Sequence, residues 1–168
     1  MTYPEIYDII YTMKGVNRMK KTIWFDMDGT IANLYAVDNW LPKLRSFDPS
    51  PYAEAEVMLN MSLLARYLNK LKAMGYRIGI ISWLSKNSTK EYDKAVKKVK
   101  LEWLKVHLNS VKFNEINITS YGVPKELYMD TLDDILFDDN ALIREQWVGK
   151  AYEPDEILSI LKELIDKG

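Results

Sequence analysis

The sequence predicts an α/β fold: a Rossmann-like three-layer sandwich in which a parallel five-stranded sheet is covered by helices on both faces. Two observations predict it. Short apolar runs alternate along the chain with segments of helical periodicity, which is typical of βαβ units. The apolar runs are short and strongly apolar, which indicates strands buried on both faces. At 168 residues the chain is long enough for one domain with a sizeable core.

Five strands are predicted from runs rich in β-branched and aromatic residues. Their bounds are about 21–27, 76–82, 114–120, 135–137 and 148–152. Helices are predicted between them at about 53–74, from Ser88 to about 108, at about 141–147, and from Pro154 onwards. Ser88 and Glu91 fit a capping box that begins the second helix.

The second predicted helix carries many lysines. They are interpreted as a solvated helix face rather than as a nucleic-acid patch. These lysines are Lys90, Lys94, Lys97, Lys98, Lys100 and Lys105.

Two segments stand outside the regular alternation. Residues 1–18 are interpreted as an N-terminal extension, because Met19 and the residues after it resemble a natural chain start leading into the first strand. The alternative is an ordinary first helix. Residues 31–59 contain clustered prolines and scattered aromatic residues, which favour loops and short helices. We expect this segment to be a small helical cap inserted after strand one of a single catalytic domain, 19–168.

Composition excludes several classes of chemistry. The chain has no cysteine, so disulfides and thiol catalysis are excluded, and its one histidine, His107, cannot build a multi-histidine metal site. The net charge of −1 gives no strong attraction to nucleic acid. No apolar run long enough for a membrane span is present and no leader is recognised, so a cytoplasmic protein is expected. The metal chemistry that remains is oxygen-based and suits Mg²⁺.

Two carboxylates follow the first strand. Asp26 and Asp28 are two residues apart, so in a regular strand they lie side by side. Like charges this close repel, and a divalent cation is the usual compensation. Gly29 allows a sharp turn directly after the pair. The alternative is that Asp-x-Asp-Gly is only a polar turn.

Three later strands also end near polar or charged side chains. Ser82 ends the second strand, Lys125 follows the third, and Asp138 with Asp139 ends the fourth. Sites in open α/β sheets lie beyond the carboxyl ends of the strands. We therefore expect these side chains to converge with the Asp26 and Asp28 loop.

These residues resemble the signatures of the haloacid-dehalogenase superfamily, a group of Mg²⁺-dependent phosphoryl-transfer enzymes. The first signature, an apolar run followed by Asp-x-Asp-Gly-Thr, stands here at 23–30. The later signatures are met in the family's order by Ser82, Lys125 and the Asp138-Asp139 pair, and the resemblance covers 19–165. Family dehalogenases lack the second acid of the first signature, so Asp28 favours phosphate chemistry over carbon–halogen cleavage.

The resemblance implies a role for each matched residue. Asp26 would be the nucleophile that forms an aspartyl-phosphate, and Asp28 would be the acid and then the base. Ser82 and Lys125 would hold the phosphoryl oxygens, with Lys86 as the alternative lysine. The Gly29-Thr30 turn would also bind phosphate. The expected ligands of Mg²⁺ are Asp26, the main-chain carbonyl of Asp28, Asp138, and Asp139 directly or through a second shell.

Within that superfamily the chain is most similar to 5′(3′)-deoxyribonucleotidase-like phosphatases. The similarity rests on the text around Asp26 and on the phrase Lys100-Leu-Glu-Trp103 with His107. A nucleotide is therefore the expected small phosphorylated substrate, with Tyr35, Trp40 and Arg45 as its contacts.

The short cap predicts a site that is open or covered by the second subunit of a homodimer. The alternatives to a nucleotidase are a phosphatase for another small metabolite or for a 3′-phosphorylated nucleic-acid end, and an inactive binding module. A receiver-type signalling domain is disfavoured because strand three ends without an aspartate.

Overall fold

The computed structural model describes residues 21–168. The predicted extension, 1–18, lies outside the described residues. The strands are β1 (Thr22–Phe25), β2 (Ala32–Asn33), β3 (Glu56–Val57), β4 (Arg77–Trp83), β5 (Glu115–Thr119), β6 (Ile135–Phe137) and β7 (Lys150–Tyr152). The helices are α1 (Trp40–Arg45), α2 (Ser50–Glu54), α3 (Met61–Ala73), α4 (Lys90–His107), α5 (Ala141–Gln146) and α6 (Ile157–Lys167). No helix in this part of the chain is long and apolar enough to cross a membrane.

The main sheet has the order β5-β4-β1-β6-β7 and all its strands are parallel. This confirms the predicted five-stranded sheet. The first strand is central: Phe25 is paired with Ile80 on one side and with Phe137 on the other. The chain runs outward to β5 on one side of β1 and then crosses to β6 on the other side. Such a reversal opens a crevice at the carboxyl ends of the strands.

Both faces of the sheet are buried. Ile23, Phe25 and Ile80 belong to one core cluster, which includes residues of α3, α4 and α6. Trp24 and Leu136 point to the opposite face, where they pack with α5. Consecutive strand residues therefore serve different cores, which explains why the strands are apolar almost throughout.

The segment 31–59 is more varied than the predicted helical cap. It contains a 3₁₀ turn at Leu34–Ala36, helices α1 and α2, and an antiparallel pair formed by β2 and β3. The predicted continuous helix over 53–74 was wrong, because the chain leaves α2 at Glu54 and α3 begins only after Asn60. The Asn60 side chain accepts a hydrogen bond from the Leu63 N–H at 3.0 Å, which caps the new helix.

Helix α4 anchors this segment to the sheet domain. The Trp103 indole N–H donates to the Ala55 carbonyl at 2.8 Å, and the Tyr92 hydroxyl donates to the Asp48 carbonyl at 3.0 Å. The helix itself is capped by Thr89, whose hydroxyl accepts from the Tyr92 N–H at 3.2 Å. The predicted cap, Ser88, was therefore one residue too early.

At the amino end of the sheet, the buried Asp134 carboxylate ties β6 to β1. It accepts hydrogen bonds from the Thr22 N–H, the Trp24 indole, the Asp130 N–H and the Thr131 hydroxyl, at 2.7 to 3.0 Å. A carboxylate so buried is tolerated because each contact offsets part of its desolvation.

We expect Asp134→Ala to lower the free energy of unfolding by about 3 kcal/mol, because several buried donors lose their acceptor. Urea denaturation checks this. The matched control is Asp133→Ala, an exposed neighbour, which should change stability by less than about 0.5 kcal/mol. A loss in Asp134→Ala below about 1 kcal/mol would contradict the assigned role of this carboxylate.

Candidate active site

A cavity of roughly 590 Å³ lies at the carboxyl end of the sheet. Its lining includes all four predicted acids and the predicted lysine: Asp26, Asp28, Asp138, Asp139 and Lys125. Residues of the 31–59 segment line the same cavity. The structure thus brings together side chains from the ends of β1 and β6, as their strand positions predict.

Lys125 joins the acids of the two central strands. Its ammonium lies 2.7 Å from Asp26 Oδ1 and 2.6 Å from Asp138 Oδ2, and all three side chains are buried. Burial alone would lower the pKa of Lys125, but the two carboxylates outweigh it and raise this pKa. Lys125 therefore stays charged and holds the two acids together.

The turn after β1 brings Asp139 next to Asp26. The Thr30 hydroxyl donates to Asp26 Oδ2 at 3.2 Å and accepts from the Asp139 N–H at 3.1 Å. Gly29 has φ +77°, and a Cβ there would lie 2.5 Å from Asp139 Oδ2. The turn therefore needs glycine, because φ is positive and because there is no space for a side chain. Thr30 is bound to protein groups here, so its contact with phosphate stays a prediction.

Three carboxylates could hold a metal ion. One oxygen each of Asp26, Asp138 and Asp139 lies within 4.8 Å of the others. Burial and the Asp26 charge raise the pKa of Asp138 to about 6, and burial with Asp26 and Asp138 raises the pKa of Asp139 to about 7. An oxygen-only cluster with crowded negative charge matches the preference of a hard divalent cation.

Asp28 faces a second lysine that the sequence interpretation placed on the surface. Lys100 Nζ lies 2.6 Å from Asp28 Oδ2, and the Lys100 side chain is 1% exposed. Burial raises the pKa of Asp28, and the Lys100 charge opposes this shift. The solvated-face interpretation was wrong for Lys100, although the other five lysines of α4 are exposed.

A sequence signal for Lys100 existed. Val96, Lys100 and Trp103 are spaced as i, i+4 and i+7, so Lys100 lies on the buried stripe of α4. A lysine on that stripe must bring its ammonium to an acceptor inside the protein.

The other predicted contacts differ in how close they lie to the acids. Ser82 is fully buried, and its hydroxyl oxygen accepts from Lys100 at 2.8 Å. Lys86 is exposed and lies 5.8 Å from the Tyr121 ring centroid, in the cavity wall. Lys125, and not Lys86, contacts the acids.

The predicted substrate contacts lie in the same cavity. Tyr35, Trp40 and Arg45 all line it, and the Tyr35 and Trp40 rings meet edge to face at 5.0 Å. Burial and the neighbouring acids, Asp139 first among them, raise the pKa of Tyr35. His107 instead packs on the Trp103 ring at 4.4 Å, away from the cavity lining, as expected of a packing residue.

Comparison with known proteins supports the fold. No family model matches the chain, and no curated protein matches it either. Several solved structures are similar to the chain, and they include two phosphatases. The D,D-heptose 1,7-bisphosphate phosphatase from Burkholderia thailandensis has a TM-score of 0.56 at 15% identity, covering 87% of this chain and 99% of its own. The chain therefore shares the α/β fold of this phosphatase. The corresponding phosphatase from B. bronchiseptica, complexed with magnesium and phosphate, has a TM-score of 0.55 at 11% identity. The similarity covers 88% of this chain and 99% of that phosphatase.

We expect a divalent cation to stabilise the protein more at about pH 8 than at about pH 5.5. The folded pKa values of Asp138 and Asp139 lie above their usual 3.8. The metal-free protein therefore loses stability as pH rises from about 4 to about 7, and a bound cation offsets that loss only where the acids are ionised.

Thermal melting with and without about 10 mM Mg²⁺ measures the effect, expected as a rise of about 3 to 5 °C at the higher pH. Asp139→Asn should shrink that rise, and Asp133→Asn should leave it unchanged. An equal rise at both pH values would contradict binding at these acids.

Proposed function

We propose that this protein is a Mg²⁺-dependent phosphatase that hydrolyses a phosphate monoester through an aspartyl-phosphate on Asp26. One observation carries the proposal: the carboxylates of Asp26, Asp138 and Asp139 converge with Lys125 at the carboxyl ends of two adjacent strands, inside a cavity. The haloacid-dehalogenase-like fold supports the same conclusion, since phosphatases of similar structure share it.

The proposed reaction has two steps, both using Asp26 and Asp28. An Asp26 oxygen attacks phosphorus, the bond to the leaving oxygen breaks, and Asp28 gives that oxygen a proton. Asp28 then takes a proton from water, the water oxygen attacks phosphorus, and the Asp26 carboxylate is released with inorganic phosphate. Both acids line the cavity, so a bound phosphate can reach each of them.

Charge balance supports a divalent cation in this site. Within residues 21–168, the carboxylates of Asp26, Asp28 and Asp138 form short ion pairs with two ammonium groups, those of Lys100 and Lys125. With Asp139 included, the negative charge of the four ionised acids exceeds the charge of these two partners by two. Asp26, Asp138 and Asp139 would hold Mg²⁺, with the Asp28 main-chain carbonyl as the further proposed ligand. When bound, the ion would offset the repulsion between carboxylate and phosphate.

The phosphoryl oxygens would be held by Lys125 and Ser82. Two of the three N–H groups of Lys125 donate to Asp26 and Asp138, which leaves the third for a phosphoryl oxygen. Ser82 accepts from Lys100, which leaves its hydroxyl proton for a phosphoryl oxygen. Ser82 is buried and is not among the residues that line the cavity, so this contact requires its side chain to move when phosphate binds. Both groups would gain strength as negative charge builds up on the transferring phosphoryl group.

A nucleotide is the substrate that the cavity supports best. Tyr35 and Trp40 offer aromatic surface for a base, and Arg45 offers a cation for phosphate or sugar. The cavity is also large enough for a nucleoside monophosphate. A homodimer and a cytoplasmic location stay predictions.

Asp26→Asn should keep its fold, seen as a cooperative melting transition, and lose at least about 1,000-fold in turnover, because the amide is a poor nucleophile. Asp28→Asn should lose at least about 100-fold for substrates with a poor leaving group. Phosphate release measures both, with Asp133→Asn as the surface control. EDTA should abolish the activity and Mg²⁺ restore it. Full turnover in the Asp26 variant would refute the mechanism.

The substrate class is tested by Mg²⁺-dependent phosphate release over deoxy- and ribonucleotides, sugar phosphates and 3′-phosphorylated oligonucleotides. We expect nucleotides to give the highest kcat/KM. Trp40→Ala should raise KM for nucleotides about 10-fold, because one stacking contact is lost, and leave KM for glycerol phosphate unchanged. Leu142→Ala, exposed and outside the cavity lining, is the control. A preference for sugar phosphates would reject the nucleotide, and background rates throughout would favour a binding module.

A further inference from the structure

Lys100 is a buried cation with no part of its own in the two chemical steps proposed above. Its ammonium lies 2.6 Å from Asp28 Oδ2, 2.8 Å from Ser82 Oγ and 2.7 Å from the Trp83 carbonyl. It also lies 4.8 Å from the centroid of the Tyr52 ring. A lysine ammonium has three donors. All three are engaged, so none is left for a substrate.

The position of Lys100 also separates it from the substrate. Its side chain is 1% exposed, and Lys100 is not among the residues that line the cavity, whereas its partner Asp28 is. Lys100 can therefore influence a bound phosphate only through the groups that it holds. This distinguishes it from Lys125, which lines the cavity.

The three acceptors lie at the carboxyl ends of two neighbouring strands. Asp28 belongs to the turn after β1, whereas Ser82 and Trp83 end β4. A single side chain of α4 thus fixes the position of the proposed proton donor relative to the end of the neighbouring strand. Because one Asp28 oxygen is bound to Lys100, rotation of the carboxyl group would break a short charge-assisted hydrogen bond.

We infer that Lys100 is a positioning residue for proton transfer by Asp28. It holds the Asp28 carboxyl group where that group can protonate the leaving oxygen as the phosphorus–oxygen bond breaks and the Asp26–phosphorus bond forms. This inference rests on the proposed phosphatase function. It makes a prediction that depends on the leaving group, because a good leaving group departs without a proton.

The test compares kcat/KM of Lys100→Met on two substrates, glycerol phosphate and 2,4-dinitrophenyl phosphate. This ratio reports the steps up to release of the leaving group, so hydrolysis of the aspartyl-phosphate does not affect it. We expect a loss of about 100-fold on the alkyl phosphate and less than about 10-fold on the dinitrophenyl ester. Lys97→Met, an exposed lysine of the same helix, is the matched control and should match the wild type on both.

A double-mutant cycle gives a second readout. If Lys100 acts through Asp28, adding Lys100→Met to Asp28→Asn should cost less than about 3-fold further on glycerol phosphate. A merely structural role would lower the rate on both substrates alike and would add to the Asp28 effect.

An even loss on the two substrates, an additive cycle, or wild-type rates in Lys100→Met would overturn the inference. If Lys100→Met does not melt cooperatively, Lys100→Arg replaces it: it keeps the charge but not the three convergent contacts, so a loss of about 10-fold confined to glycerol phosphate is expected. A wild-type protein inactive on these two substrates and on every compound of the panel above would reject the phosphatase function and this inference with it.

Discussion

The ion pair of Lys125 with Asp26 and Asp138 is the contact on which the site depends. It joins the ends of β1 and β6, which are neighbours in the sheet at the point where the strand order reverses direction. Without a cation between them, the two buried carboxylates of Asp26 and Asp138 would repel each other or bind protons. With it, Asp26 stays close to Asp138 and Asp139, and one oxygen of each acid lies within 4.8 Å of the others, where the three could hold a divalent ion.

The remaining side chains of the site fall into two groups. Thr30 and Gly29 hold Asp139 against Asp26, on the side of β6. Lys100 holds Asp28 and Ser82 on the side of β4. The two acids of one short turn therefore have different lysine partners and different surroundings. This separation is what allows neighbouring aspartates to act as nucleophile and as proton donor in the proposed reaction.

Much of the fold and of the acid cluster was predictable, because both follow from local pattern. Buried strands are apolar runs, and parallel strands place their final residues at one edge, so Asp26 and Asp138 could be brought together without coordinates. Lys100 could not be placed with the acids in this way, because surface lysines are far commoner on helices and only its phase on the α4 stripe marks it. Asp134 was also missed, since its donors come from separate parts of the chain. The break between α2 and α3 depends on the pairing of β2 with β3, which lie far apart in sequence.

The attachment of the 31–59 segment to α4 affects how molecules enter the cavity. Trp103 and Tyr92 each donate a hydrogen bond to a backbone carbonyl of that segment. The 31–59 segment is therefore bound to the same helix that carries Lys100. These hydrogen bonds oppose an opening motion of the 31–59 segment, because such a motion would break both of them. A segment held in this way would keep the dimensions of the cavity constant, and molecules too large for the cavity would be excluded before they reach the acids.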